Sequence, residues 1–260
     1  MRDAMMMSLR YSRWWSLAAL ILVAAAIVSS PAEAQRRRGG FGGFGGAYIE
    51  PNIPYDGRFT FARIRYEEVY SNGWAFDYPD TERNFATILR EITSMKPYME
   101  GGNVFTFDDP ELFRFPIAYV SEPGFWYPSR AEAEGLRDYL AKGGFVIFDD
   151  FQGPGQWLNF VQQMQRVLPA ARIVPLEPTH PIFDAFFKID LSLIPGGYGQ
   201  PAVYYGIYQD NDPRKRLIAI INFENDVGEM WEWSTEGFSP VPTNEAYKLG
   251  VNYLIYALTH

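Results

Sequence analysis

Gly143-Gly144-Phe145-Val146-Ile147-Phe148-Asp149-Asp150-Phe151 is the stretch whose reading decides the fold. A short apolar strand over 145–148 runs into two adjacent carboxylates, and a Gly/Pro turn and a helix follow. Upstream, Ser129-Arg130-Ala131-Glu132 has the form of a capping box, in which each side chain satisfies an amide of a helix's first turn. The helix it opens turns Leu136, Tyr139 and Leu140 inward and stops at Gly143-Gly144. Helix, strand and helix in direct succession are the rhythm of an α/β sheet covered on both faces. In such a sheet the carboxyl ends of the strands border the crevice where ligands bind.

The same alternation extends in both directions. Phe59 to Tyr66 alternates like a strand. Phe85, Ile88, Leu89, Ile92 and Met95 fall at helical spacing after Asp80, which is the expected N-cap. Residues 103–107 and 116–120 read as short strands, and Trp157, Phe160, Val161, Met164, Val167 and Leu168 mark a helix closed by Pro169. Ala171–Leu176, Ala202–Tyr208 and Leu217–Phe223 look extended, and the last run, through Leu249, Tyr253 and Leu254, reads as a core helix.

The amino-terminal end carries a different signal. Arg2, Arg10 and Arg13 precede an apolar run from Leu17 to Val28, and Ala32-Glu33-Ala34 has the small-x-small pattern of a cleavage site. Residues 1–34 are therefore expected to be a signal peptide for general secretion, cleaved near Ala34-Gln35, with an uncleaved anchor as the alternative. Residues 35–57, opening with Gln35-Arg36-Arg37-Arg38 and a Gly/Phe run, read as a disordered linker. Residues 58–260 then form one domain, placed in the periplasm or outside the cell. The formal net charge of −8 disfavours nucleic acid and nonspecific membrane adhesion. Cysteine is absent and only two histidines occur, His180 and the terminal His260. Neither disulfides, thiol nucleophiles nor thiolate metal sites are available.

Candidate chemistry gathers at the predicted strand ends. Strand residues alternate between faces, so at most one of Asp149 and Asp150, Asp150 by preference, aims into the crevice. In the purely structural alternative, one of the two bonds the amides of the 152–155 loop and the other is solvated. Glu122, Asp108 and Asp109 lie near other strand ends, but none has a diagnostic metal-ligand spacing, so no metal site and no cofactor is expected. Ser121 follows a strand without the Gly-x-Ser-x-Gly elbow, and its one available base would be His180. Asp77-Tyr78-Pro79-Asp80 is an acidic turn, and Trp231-Glu232-Trp233 could stack on sugars or fill a core.

Several of these pieces together resemble the bacterial domain-of-unknown-function 4159 family. They are Phe59 to Tyr66, Trp74 to Asp80 with Asn84-Phe85, Gly143 to Asp150, His180-Pro181-Ile182-Phe183 and Gly250-Val251-Asn252-Tyr253. The resemblance implies a flavodoxin-like three-layer α/β sandwich with a mostly parallel sheet, similar to class I glutamine amidotransferases. It implies no activity, and without a cysteine the amidotransferase route to glutamine hydrolysis is closed. The leading expectation is a non-catalytic binding domain with a crevice lined by Asp77, Glu122, Asp149, Asp150 and His180, taking a small molecule or an envelope protein. The alternatives are a carboxylate-dependent hydrolase of a carbohydrate or ester, using Asp150, His180 and Glu122, and a structural envelope interaction domain.

Overall fold

The computed structural model describes residues 49–67, 73–234 and 238–260. The signal peptide and the Arg/Gly run expected upstream lie outside these residues. Strands β1 (Phe61–Ile64), β2 (Gly102–Phe105), β3 (Ile117–Ser121), β4 (Phe145–Phe151), β5 (Val174–Pro175), β6 (Val203–Tyr208) and β7 (Leu217–Phe223) form one sheet. Their order is β2-β1-β3-β4-β7-β6-β5. The first five are parallel, and β6 and β5 continue the sheet antiparallel. The parallel part has the flavodoxin-like order, whose direction of winding switches between β1 and β3.

Helices α1 (Asp80–Ile92), α2 (Arg130–Ala141), α3 (Gly153–Val167), α4 (Val227–Glu232) and α5 (Pro240–Thr259) complete the three layers. On one face, Leu136 of α2 and Phe160 and Met164 of α3 pack with Val146 and Phe148 of β4. On the other, Leu89 of α1, Trp231 of α4 and Tyr253 of α5 pack with Phe145, Ile147 and Ile220. Central strands buried on both faces explain why β7 reads Leu-Ile-Ala-Ile-Ile with no polar alternation. The Ser129 capping box of α2 is present, with both reciprocal bonds made.

Several local expectations are corrected. Asp80 is the first residue of α1 rather than its cap; Pro79, at the end of a cis Tyr78-Pro79 peptide, holds the cap position. The extended segment 171–176 contributes only the two-residue edge strand β5. Within 35–57, the span read as linker, Asn52 and Asn103 lie against each other's backbone: Asn52 donates to Val104 O and Asn103 to Ile53 O. That portion of the chain is thus packed along β2, where paired amides cover an edge that would otherwise be open.

Strand β4 does not stop at Phe148 but continues through both aspartates to Phe151. Its register with β7 shifts between Phe148 and Phe151, so Asp149-Asp150 forms a bulge, and Asp150 takes φ 62°. A bulge inserts a residue and re-aims the side chains that follow. This overrides the strict alternation expected of the pair.

Candidate acidic site at the carboxyl edge of the sheet

Asp149 is fully buried and committed to the fold. Its carboxylate accepts from Tyr119 Oη (2.7 Å), Asn222 Nδ2 (2.9 Å), Gly228 N (2.8 Å) and Val227 N (3.3 Å). The amides it holds belong to the first turn of α4, not to the 152–155 loop that the sequence suggested. Burial raises its pKa, while these four hydrogen bonds pull it down. Asp149 therefore fixes where α4 begins.

The residue before α4 is Asp226, whose carboxylate caps the helix by accepting from Glu229 N at 2.7 Å. Asp226 meets Asp150, brought round by the β4 bulge, and Asp77, from the loop after β1. One oxygen from each of the three lies within 4.8 Å of the others. Asp77 is buried, and Asp150 and Asp226 are half-buried. Burial, followed by the charges of Asp150 and Asp77, holds the Asp226 pKa well above the ordinary carboxylate range.

The loop carrying Asp77 is fastened from below. Arg63 of β1 and Glu82 of α1 form an ion pair with both side chains fully buried. The Arg63 guanidinium also donates to Trp74 O at 2.9 Å and Phe76 O at 3.1 Å. Thr81 Oγ1 reaches Gly228 O at 3.1 Å, and Asn84 Nδ2 bonds Trp231 O and Glu232 O, tying α1 to both ends of α4. Breaking a buried ion pair by removing one partner costs about 3–5 kcal/mol, so this anchor is firm.

Left-handed backbone marks the whole edge. Asp77 (φ 66°), Glu122 (φ 50°), Asp150 (φ 62°) and Glu224 (φ 54°) all hold positive φ. Each follows or ends a parallel strand or its loop. Such conformations cluster where a chain is held for function.

The other expected site residues are placed elsewhere or differently. The Glu122 amide bonds Asp149 O at 3.0 Å, but its carboxylate is not one of the three that converge. Asp109 caps a 3-10 turn after β2 through Glu111 N, and Asp108 is exposed beside it. His180 lies at the opposite edge of the sheet. Its ring contacts Tyr208 and Tyr256, and Tyr208 pairs with Leu217, the first residue of β7, whereas Asp226 follows the end of that strand. Seven strand residues separate the two edges by about 20 Å. His180 Nδ1 instead accepts from Ile182 N at 3.2 Å in a proline-bounded turn. His180 therefore does not line the acidic crevice, nor is it a base for Ser121 or a helper of Asp150. Trp231 is buried, and Trp233 is 40% exposed.

Asp226 is the site residue that sequence reading passed over. The available signal was Asp226-Val227-Gly228-Glu229 directly after an apolar strand, the pattern of a helix cap at a carboxyl edge. Oxygen-only carboxylate donors suit hard cations or cationic groups; no histidine nitrogen joins them among the described residues.

No curated protein matches the chain. The family model described as domain of unknown function (DUF4159) matches residues 60–258, from β1 through nearly all of α5, including every residue of the acidic cluster. By that match, the chain belongs to the DUF4159 family.

Proposed function

We propose that this is an exported, non-catalytic binding domain whose acidic crevice takes a small ligand presenting positive charge. One observation carries the reading: Asp77, Asp150 and Asp226 arrive from three separate strand ends, yet place oxygens within 4.8 Å of one another. Folding brings like charges together at a cost, and a cation seated among them offsets it. The crevice adjoins the parallel edge where α/β sheets bind ligands. The hydrolase alternative draws less support, because His180 occupies the other edge of the sheet. An envelope-docking role draws less as well, because Trp231 is core. Export rests on the pattern of residues 1–34, and amino-terminal sequencing of the protein recovered from the producing cell's envelope should begin near Gln35.

The binding test is a calorimetric and thermal-shift panel of divalent cations, organic amines and polar small molecules. Saturable binding that disappears in Asp150→Ala is the expected result. A silent panel, or an Asp150→Ala protein that binds as wild type does, would overturn the proposal.

A further inference from the structure

Ser121 supplies an observation independent of the carboxylates. It ends β3, pairs in register with Asp149, and is fully buried, yet among the described residues its Oγ has no hydrogen-bond partner. Alternation puts it on the face of Tyr119, two residues earlier, whose hydroxyl bonds Asp149. The Gly228 amide bonds the same Asp149 oxygen, so the start of α4, capped by Asp226, sits over this part of the sheet. Ser121 stands about 6–7 Å further along β3 toward the carboxyl edge. Strand register thus puts it beside Asp149 at the carboxyl edge, and a buried hydroxyl left unbonded there costs free energy unless a ligand uses it.

We infer that the site binds a divalent cation, Ca2+ in preference to Mg2+, with one oxygen each from Asp77, Asp150 and Asp226 and a further oxygen from the Ser121 hydroxyl. The inference rests on the binding reading above and narrows its ligand to a metal ion. Three carboxylates and a hydroxyl are hard oxygen donors, the set that Ca2+ and Mg2+ take in preference to zinc or copper. The number of protein ligands separates the two. Mg2+ dehydrates reluctantly and is usually held by one or two carboxylates with its remaining waters, whereas Ca2+ takes about six to eight oxygens in a flexible geometry. Three carboxylates and a hydroxyl from four segments of the chain, the carboxylate oxygens all within 4.8 Å of one another, make the larger protein-supplied set that Ca2+ accepts. Preorganisation is built in, since Asp149 fixes the start of α4 and Arg63 fixes the Asp77 loop. Asp149 is thereby a positioning residue behind the ligands.

The test is isothermal titration of the EDTA-stripped protein with CaCl2, MgCl2 and MnCl2, repeated for Asp226→Asn and Ser121→Ala. One equivalent of Ca2+ is expected to bind more tightly than Mg2+. Affinity is expected to fall about 10–100-fold in Asp226→Asn and about tenfold in Ser121→Ala. Without cation, Ser121→Ala should melt no lower than wild type, since it deletes an unbonded buried hydroxyl. This separates loss of a ligand from loss of the fold. No saturable heat with any of the three salts, or affinity unchanged in either variant, would overturn the metal assignment. If amines still bind in an Asp150-dependent way, only the metal assignment falls. If they do not, the binding reading falls with it.

Discussion

Asp226→Asn should raise the melting temperature of the cation-free protein. The substitution keeps the helix cap, because asparagine accepts from Glu229 N as aspartate does. It removes one of three charges whose oxygens lie within 4.8 Å. Two unit charges at that separation repel by about 3.5 kcal/mol at an effective dielectric near 20. Asp226 and Asp150 are half-buried, so solvent screening cuts this, and uptake of a proton limits it further. A net gain of about 1–2 kcal/mol remains, which for a domain of this size is a rise of roughly 2–8 °C. The pH dependence carries the sign. Folding raises the Asp226 pKa, so the ionised group costs stability as pH climbs through the folded value, and the cost vanishes below the unfolded value of about 4. The difference between variant and wild type should therefore be largest at neutral pH and close on acidification. Differential scanning calorimetry in EDTA across pH 4–8 reads this directly. A variant melting below wild type at neutral pH, or a difference that grows toward pH 4, would refute the electrostatic account.

Other predictions follow from neighbouring residues. Asp149→Ala leaves the Tyr119 hydroxyl, the Asn222 amide and two amides of α4 without their acceptor, and should destabilise by about 3–5 kcal/mol in urea unfolding. Wild-type-like stability would show that Asp149 is not the hub. Glu82→Gln leaves Arg63 charged and fully buried without its ion-pair partner, and should cost about 3–5 kcal/mol. Arg63→Met with Glu82→Leu should recover much of that loss, and a double variant no better than the single would count against it. Gly228→Ala would drive a methyl group into the Tyr119 hydroxyl, so it should lower the melting temperature and weaken ligand binding together. At the opposite edge, burial and the nearby His260 lower the His180 pKa. Its contribution to stability is whole above the unfolded value of about 6.5 and is lost as pH falls through the folded one. A His180→Gln protein should lack this acid-side loss, and NMR titration of the imidazole checks the direction.

The alternation of helices and strands around Phe145–Phe148 was legible because it depends on local periodicity and on caps such as Ser129, where neighbours in sequence decide the outcome. The mostly parallel three-layer order followed from the same alternation, since a parallel strand needs a crossover. Edges were less legible. Asp80 had the chemistry of a cap, but the Tyr78-Pro79 turn set the helix start one residue earlier. Segment 171–176 had strand-like residues but pairs with β6 only through Val174 and Pro175.

For the site, the chain by itself determined where acidic residues fall: Asp77, Glu122, Asp149 and Asp150 at or after strand ends of a domain without cysteine. Which of them meet was decided by tertiary structure. Alternation predicted that Asp149 and Asp150 part to opposite faces, and the bulge against β7 cancelled that rule, sending one to hold α4 and the other to meet its cap. The bulge exists only because β4 pairs with a strand some seventy residues away, and Asp226 joins only because β7 delivers it there. His180 was excluded for the same reason, since strand direction places it at the other edge of the sheet. Local chemistry is written in residue types and short spacings, whereas convergence of side chains distant in sequence is set by strand register, which a single sequence does not display.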